Sequence, residues 1–135
     1  MANIEDCKII TLPKIPSEKG SLSFAEAEGI IPFDIKRVYF TYDIPAGAER
    51  GGHAHKNLSQ LIVAASGSFN IIINDGKKEK TIFLNNPRNG LIIHSGIWRE
   101  INEFSSGSIV LVIASELYSE DDYIRDFIKF KNSIC

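Results

Sequence analysis

Short runs of β-branched, aromatic and aliphatic residues recur through most of the 135-residue chain, with turn-forming residues between them about every ten positions. That spacing leaves no room for crossover helices, so a parallel βαβ sheet is disfavoured and an antiparallel sandwich or barrel is predicted. Residues 20–25, 35–42, 60–65, 69–73, 78–84, 91–93, 98–104 and 109–114 read as strands, within a span of about 8–114. Asn74-Asp75-Gly76 has the positive-φ chemistry of a hairpin turn. The proline and asparagines of 85–90 read as a loop.

The tail reads differently. Ser119 looks like a helix N-cap, and Glu120, Asp121 and Asp122 place negative charge in a first helical turn. Tyr123, Ile124, Phe127 and Ile128 share one helical face, and Lys129 and Lys131 suit a helix C-terminus, so a helix is predicted over about 119–132. The Asp121–Asp122 pair is read as helix-end charge and not as a catalytic dyad. With no linker, repeat or low-complexity tract, residues 1–135 are expected to form a single domain.

Composition narrows the partners. The net charge of −2 argues against nucleic acid, which usually demands a basic surplus, but leaves a nucleotide ligand open. No apolar run approaches the roughly 18–20 residues of a membrane span, and the N-terminus lacks a signal peptide's basic start and apolar core. A cytoplasmic protein is therefore expected. Cys7 and Cys135 make no metal-like pair; a disulfide between them is possible in principle, though the reducing cytoplasm disfavours it.

The chemistry concentrates in one segment. In a strand, residues two apart point to the same side, so His53 and His55 project together into one space. Paired inward imidazoles bind a metal, move protons or hydrogen-bond a ligand; the plain alternative is two surface histidines on an edge strand. Gly47, His53, His55, Gln60 and Gly67 follow the spacing of the first cupin motif. The chain thus resembles cupins, which implies an all-β double-stranded β-helix, or jelly roll, with the short C-terminal α-helix appended. A metal cupin would carry glutamate where Gln60 stands and a third histidine where Arg99 stands. Arg99 stays protonated, cannot ligate and repels a cation, so no metal is expected. His94 lies outside the motif position and reads as structural or surface.

The strings Ile35–Tyr39, Arg50–Lys56, Trp98-Arg99-Glu100 and Tyr118–Arg125 resemble more closely the dTDP-4-oxo-6-deoxyglucose 3,4-ketoisomerases, from about Lys8 to the end. That resemblance implies a homodimeric isomerase without metal or organic cofactor, acting on a dTDP-linked 4-oxo-6-deoxyhexose. Its 3-oxo product leads to 3-amino-3,6-dideoxyhexoses of surface glycans such as lipopolysaccharide. It also implies that His53 and His55 are the catalytic pair. Moving a carbonyl from C4 to C3 requires C3 proton removal, an enediol and reprotonation at C4, work suited to groups of near-neutral pKa. Which histidine acts on carbon is open at this level.

Arg37 and Tyr39 share a strand side and, with Arg50, are candidates for binding phosphate or sugar oxygens; solvated-arginine and core-tyrosine roles stand beside that reading. Gln60, Trp98, Arg99 and Lys19 complete the candidate binding set, with barrel core the plainer reading of Trp98. Within the family resembled, arginine after the tryptophan goes with a gluco product and histidine with galacto, so Arg99 points to gluco, while Lys19 stands where arginine or tyrosine is expected. Two alternatives carry other functions. One is a dTDP-sugar 3,5-epimerase-like enzyme, which would pair its histidine with a separate tyrosine acid. The other is a non-enzymatic sugar- or nucleotide-binding cupin, usually fused to a DNA-binding segment that has no counterpart here.

Overall fold

A computed structural model describes residues 1–134; Cys135, and with it any pairing to the buried Cys7, lies outside the described residues. Twelve strands follow one another in the described chain. They are β1 (Ile9–Thr11), β2 (Lys14–Ser17), β3 (Gly20–Ser23), β4 (Arg37–Thr41), β5 (Arg50–His55), β6 (Gln60–Ser66), β7 (Phe69–Asn74), β8 (Glu79–Leu84), β9 (Asn89–Ile93), β10 (Trp98–Asn102), β11 (Ile109–Ala114) and β12 (Tyr123–Ile124). All pairings are antiparallel. One sheet has the order β1-β9-β6-β11-β4, the other β12-β5-β10-β7-β8, and β2-β3 forms a separate hairpin.

The architecture is the expected cupin jelly roll, two sheets face to face with alternate side chains filling the space between. Ile62, Phe69, Ile71, Ile73, Leu91 and Val112 meet in that inner layer. The opposite side of the first sheet is apolar too: Leu61, Val63, Ile92 and Ile113 pack beneath Leu12 and Ile31. Hence β6 is a continuous apolar run, not an alternating one, as a strand covered on both sides must be. Gly67 turns β6 into β7 at φ 73°, and a Cβ there would meet the Ser105 and Ser108 hydroxyls at 2.5 and 2.6 Å.

Three sequence expectations change. The tail is not one helix from 119: Glu120–Asp122 is a 3-10 turn, Tyr123–Ile124 is a strand, and α1 runs only over Phe127–Ser133. The cap is Asp126, whose carboxylate accepts from the Ile128 and Lys129 amides, whereas Ser119 makes no side-chain cap. Tyr123 and Ile124 instead pair with His55 and Ala54 of β5, so long-range ladder bonds override a local helical pattern. Strands therefore reach beyond 114. Finally, the 85–90 loop is shorter than expected, because Asn89 and Gly90 already pair with β1.

Candidate active site

The cavity lies at one end of the roll, between the sheets. Tyr39, Gln60 and Val112 approach from the first sheet, Arg50, His53 and Arg99 from the second, and Tyr123 and Arg125 from the tail; its volume is about 220 Å³. Local sequence explains how β5 presents its side chains. Arg99 faces His53 and Ile101 faces Arg50, so two residues of β5, Gly51 and Gly52, oppose the single Glu100. This is a β-bulge, and Gly51 holds the left-handed backbone it requires, at φ 77°. The extra residue brings Arg50 and His53 to the same cavity despite their odd separation.

The two imidazoles form a chain with a carboxylate. His53 Nε2 lies 3.1 Å from His55 Nε2, and His55 Nδ1 lies 2.9 Å from Asp122 Oδ2. His55 is fully buried, while His53 reaches the cavity. Tyr123 covers both rings, with centroids 5.0 Å from His53 and 4.4 Å from His55, and the Arg125 guanidinium sits 4.2 Å over the tyrosine. Arg125 is itself forked by Glu120.

Across the sheet, Arg99 is buried with no carboxylate in its hydrogen bonds. It donates from Nη1 to Gln60 Oε1 and from Nη2 to the Ile97 carbonyl, while Nε has no acceptor among the described residues. Gln60 in turn donates from Nε2 to the Tyr39 hydroxyl at 3.4 Å. Burial lowers the Arg99 pKa to about 10. Burial first, then the Arg99 charge, drives His53 down to about 2. The same causes lower His55 to about 4, opposed by the Asp122 hydrogen bond. Both rings are therefore neutral at pH 7, and their pKa values fall well below the near-neutral range expected from the sequence, because the pocket buries them beside the Arg99 charge. Burial raises the Tyr39 pKa, keeping its hydroxyl a donor. A divalent metal does not fit this donor set. Three of the four ring nitrogens are spent between the histidines and on Asp122, leaving one imidazole nitrogen, and the Arg99 guanidinium faces the pair where a cation would sit.

Arg37 lies beside Tyr39, its guanidinium carbon 4.9 Å from that ring and 5.6 Å from Tyr118. Its Nε and Nη2 are buried with no acceptor among the described residues.

Seven of the nine candidates thus converge: His53, His55, Arg37, Tyr39, Arg50, Gln60 and Arg99. Trp98 does not. Its neighbour Arg99 points inward, so Trp98 points outward and packs on Phe127 and Phe130 of α1. Lys19 stands at the turn of the exposed β2–β3 hairpin and does not line the cavity of its own chain. His94 likewise lies outside the cavity lining.

Asp122, Tyr123 and Arg125 fall outside the sequence candidates, because the acidic tail satisfies the local rules for a helix start. The signal was present as period two: Tyr123 and Arg125 reach the cavity while the intervening Ile124 packs toward α1.

Residues 5–134 match the family model described as FdtA: WxcM-like, C-terminal. A TDP-4-oxo-6-deoxy-alpha-D-glucose-3,4-oxoisomerase of Aneurinibacillus thermoaerophilus is 42% identical over 128 residues, covering 95% of this chain and 92% of that protein. Among solved structures, the WlaRB TDP-quinovose 3,4-ketoisomerase of Campylobacter jejuni is 45% identical (TM-score 0.91, covering 96% and 99%). QdtA, a sugar 3,4-ketoisomerase of Thermoanaerobacterium thermosaccharolyticum solved with TDP, is 37% identical (TM-score 0.93, covering 97% and 96%). WlaRA, a TDP-fucose-3,4-ketoisomerase of Campylobacter jejuni, is 34% identical (TM-score 0.89, covering 95% of both chains). A dTDP-4-dehydrorhamnose 3,5-epimerase of Bacillus anthracis, at 19% identity and TM-score 0.77, shares the fold alone.

Proposed function

This chain belongs to the FdtA family of TDP-sugar 3,4-ketoisomerases, and we propose that it converts dTDP-4-oxo-6-deoxyglucose to the 3-oxo-6-deoxyhexose by proton transfer through His53. The observation that carries this reading is a neutral imidazole opening into a sugar-sized cavity opposite a buried guanidinium with no carboxylate partner.

His53 turns Nε2 to His55, which leaves Nδ1 for the substrate. In this reading, Nδ1 takes the C3 proton and the C3–H electrons form the C3–C4 double bond. The former carbonyl pair moves onto O4, whose negative charge Arg99 offsets. Tyr39 donates a proton to O4 and recovers one from O3, and the His53 imidazolium, whose Nδ1 proton exchanges with solvent while the enediol is bound, gives a proton to C4. The carbonyl then stands at C3, with no net change in atoms or electrons. His55, fully buried, acts behind His53. Arg37 and Arg50 hold the diphosphate, and the two unaccepted Arg37 nitrogens support that role.

Arg99, which stands in place of a third histidine, favours the gluco product; the higher identity to the TDP-quinovose enzyme than to the TDP-fucose enzyme supports the same choice. Such a 3-oxo sugar is a substrate for amination at C3, on the way to a 3-amino-3,6-dideoxyhexose of a surface glycan.

We also propose a homodimer. Every residue of the β2–β3 hairpin is exposed, including the facing Ile15 and Leu22. A groove of about 560 Å³ beneath it is lined by Leu12, Phe24, Val63 and Leu111. Edge strand β4 leaves Val38 and Phe40 in solvent. A second copy would cover these surfaces. Residues 1–135 act as one domain, and reaction needs no metal or organic cofactor.

The test is incubation with dTDP-4-oxo-6-deoxyglucose, trapping of the product as its 3-amino derivative, and NMR reading of the H4 couplings. Large couplings to both neighbours give gluco; small ones give galacto and contradict the Arg99 assignment. Recovery of unchanged substrate removes the isomerase reading.

A further inference from the structure

We infer that Asp122 is a positioning residue that fixes the tautomers of both histidines, and so decides whether His53 offers the substrate a lone pair or a hydrogen. The inference rests on the proposed role of His53 and deepens it. Asp122 belongs to the tail, yet it is tied firmly to the end of β5. Its Oδ1 accepts from the Asn57 amide at 2.7 Å, and Oδ2 accepts from the Leu58 amide at 3.4 Å. Its carbonyl accepts from the Lys56 amide at 2.8 Å. The remaining strong contact of Oδ2 is His55 Nδ1 at 2.9 Å.

A carboxylate only accepts, so the hydrogen in that contact belongs to His55 Nδ1. A neutral imidazole carries one N–H, so His55 Nε2 is then an acceptor. The atom facing it at 3.1 Å is His53 Nε2, which must donate. The single hydrogen of neutral His53 is thereby placed on Nε2, and Nδ1 becomes the lone pair. When Nδ1 takes a proton, the positive charge is passed along the same chain of bonds toward Asp122. The other charged or titratable groups around the pair are Arg99 on β10, Arg50 on β5, Arg37 and Tyr39 on β4, and Arg125 and Tyr123 in the tail. None of them is hydrogen-bonded to either ring nitrogen pair in a way that selects the tautomer.

The variant Asp122→Asn separates tautomer control from mere tethering. Its amide oxygen stays on the Asn57 N–H, because the reversed amide would set donor against donor at 2.7 Å. The amide NH₂ then faces His55 Nδ1, which must accept. The hydrogen of His55 moves to Nε2, His53 Nε2 must accept it, and His53 Nδ1 acquires the hydrogen. One substitution inverts both rings while keeping the Asn57 and Lys56 bonds and giving up only the long Leu58 one. A purely structural Asp122 predicts that the asparagine is neutral.

The readouts are ring ¹⁵N shifts by long-range ¹H–¹⁵N NMR on the ¹⁵N-labelled protein, and steady-state kinetics. Wild type should show Nδ1–H at His55 and Nε2–H at His53; D122N should show the reverse. Its kcat should fall about 10²–10⁴-fold, as for a wrong-tautomer histidine, with dTDP affinity unchanged. Wild-type protein with the opposite tautomers, or D122N with wild-type shifts and rate, overturns the inference. If D122N does not fold, the wild-type spectrum alone decides. If wild type fails to isomerise the sugar nucleotide, the functional reading falls while the spectra still test the tautomers.

Discussion

Arg37→Ala should weaken dTDP binding about ten- to a hundred-fold while leaving the free protein as stable as before. The guanidinium stacks by Tyr39 and Tyr118 but presents Nε and Nη2 to no acceptor, although both are buried. Each unmet buried donor costs about 1–3 kcal/mol. Removing them offsets the loss of two aromatic contacts, each contributing about 0.5–1 kcal/mol. The free protein should therefore keep its melting temperature within a few degrees. In the proposed complex, phosphoryl oxygens would meet those donors. A charge-assisted bond contributes about 1.5–3 kcal/mol, which converts to the stated loss in affinity. Titration calorimetry with dTDP, beside thermal unfolding of both proteins, gives the two numbers. An unchanged Kd would refute the phosphate role. A large drop in Tm would show that Arg37 is a packing residue.

His53→Asn and His55→Asn should fold and bind dTDP, yet each should lose about 10²-fold or more in kcat; near-native rates would move the site elsewhere. Chelator treatment should leave activity intact, and loss of activity restored by a stoichiometric metal would contradict the donor-set argument. Both histidine pKa values lie below the ordinary 6.5, at about 2 and about 4, so between about pH 4 and 6.5 the unfolded chain binds more protons than the folded one. Stability is then complete above pH 6.5 and falls as pH drops through that window, and urea midpoints at pH 7 and pH 5 will show it. Equal midpoints would mean the rings are charged or exposed. Arg99→His should divert product toward galacto, read from the H4 couplings.

The roll itself was legible because alternation and turn chemistry act locally: β6, β7, β8 and β11 begin and end within a residue or two of the sequence reading. So was the pairing of His53 with His55, which follows from the period of a strand. What escaped was non-local. Glu120-Asp121-Asp122 satisfies every local rule for a helix start, and only its approach to β5 turns Asp122 toward His55. The two-residue strand that seats Tyr123 is too short to leave a periodic signature of its own. Trp98 stands beside Arg99 in the sequence but not in the site, because neighbours in a strand point to opposite sides. Lys19 is exposed on a hairpin that touches little of its own chain, so its surroundings are not encoded near it in the sequence.

The claim that His53 carries a proton between C3 and C4 is tested most directly by running the reaction in D₂O and following the sugar by proton NMR. Wild type should generate the 3-oxo sugar with solvent deuterium entering at C4, and unreacted substrate should exchange at C3. His53→Asn, still binding dTDP, should do neither. Deuterium at C5 with the carbonyl left at C4, or C3 exchange that survives in His53→Asn, would contradict the account.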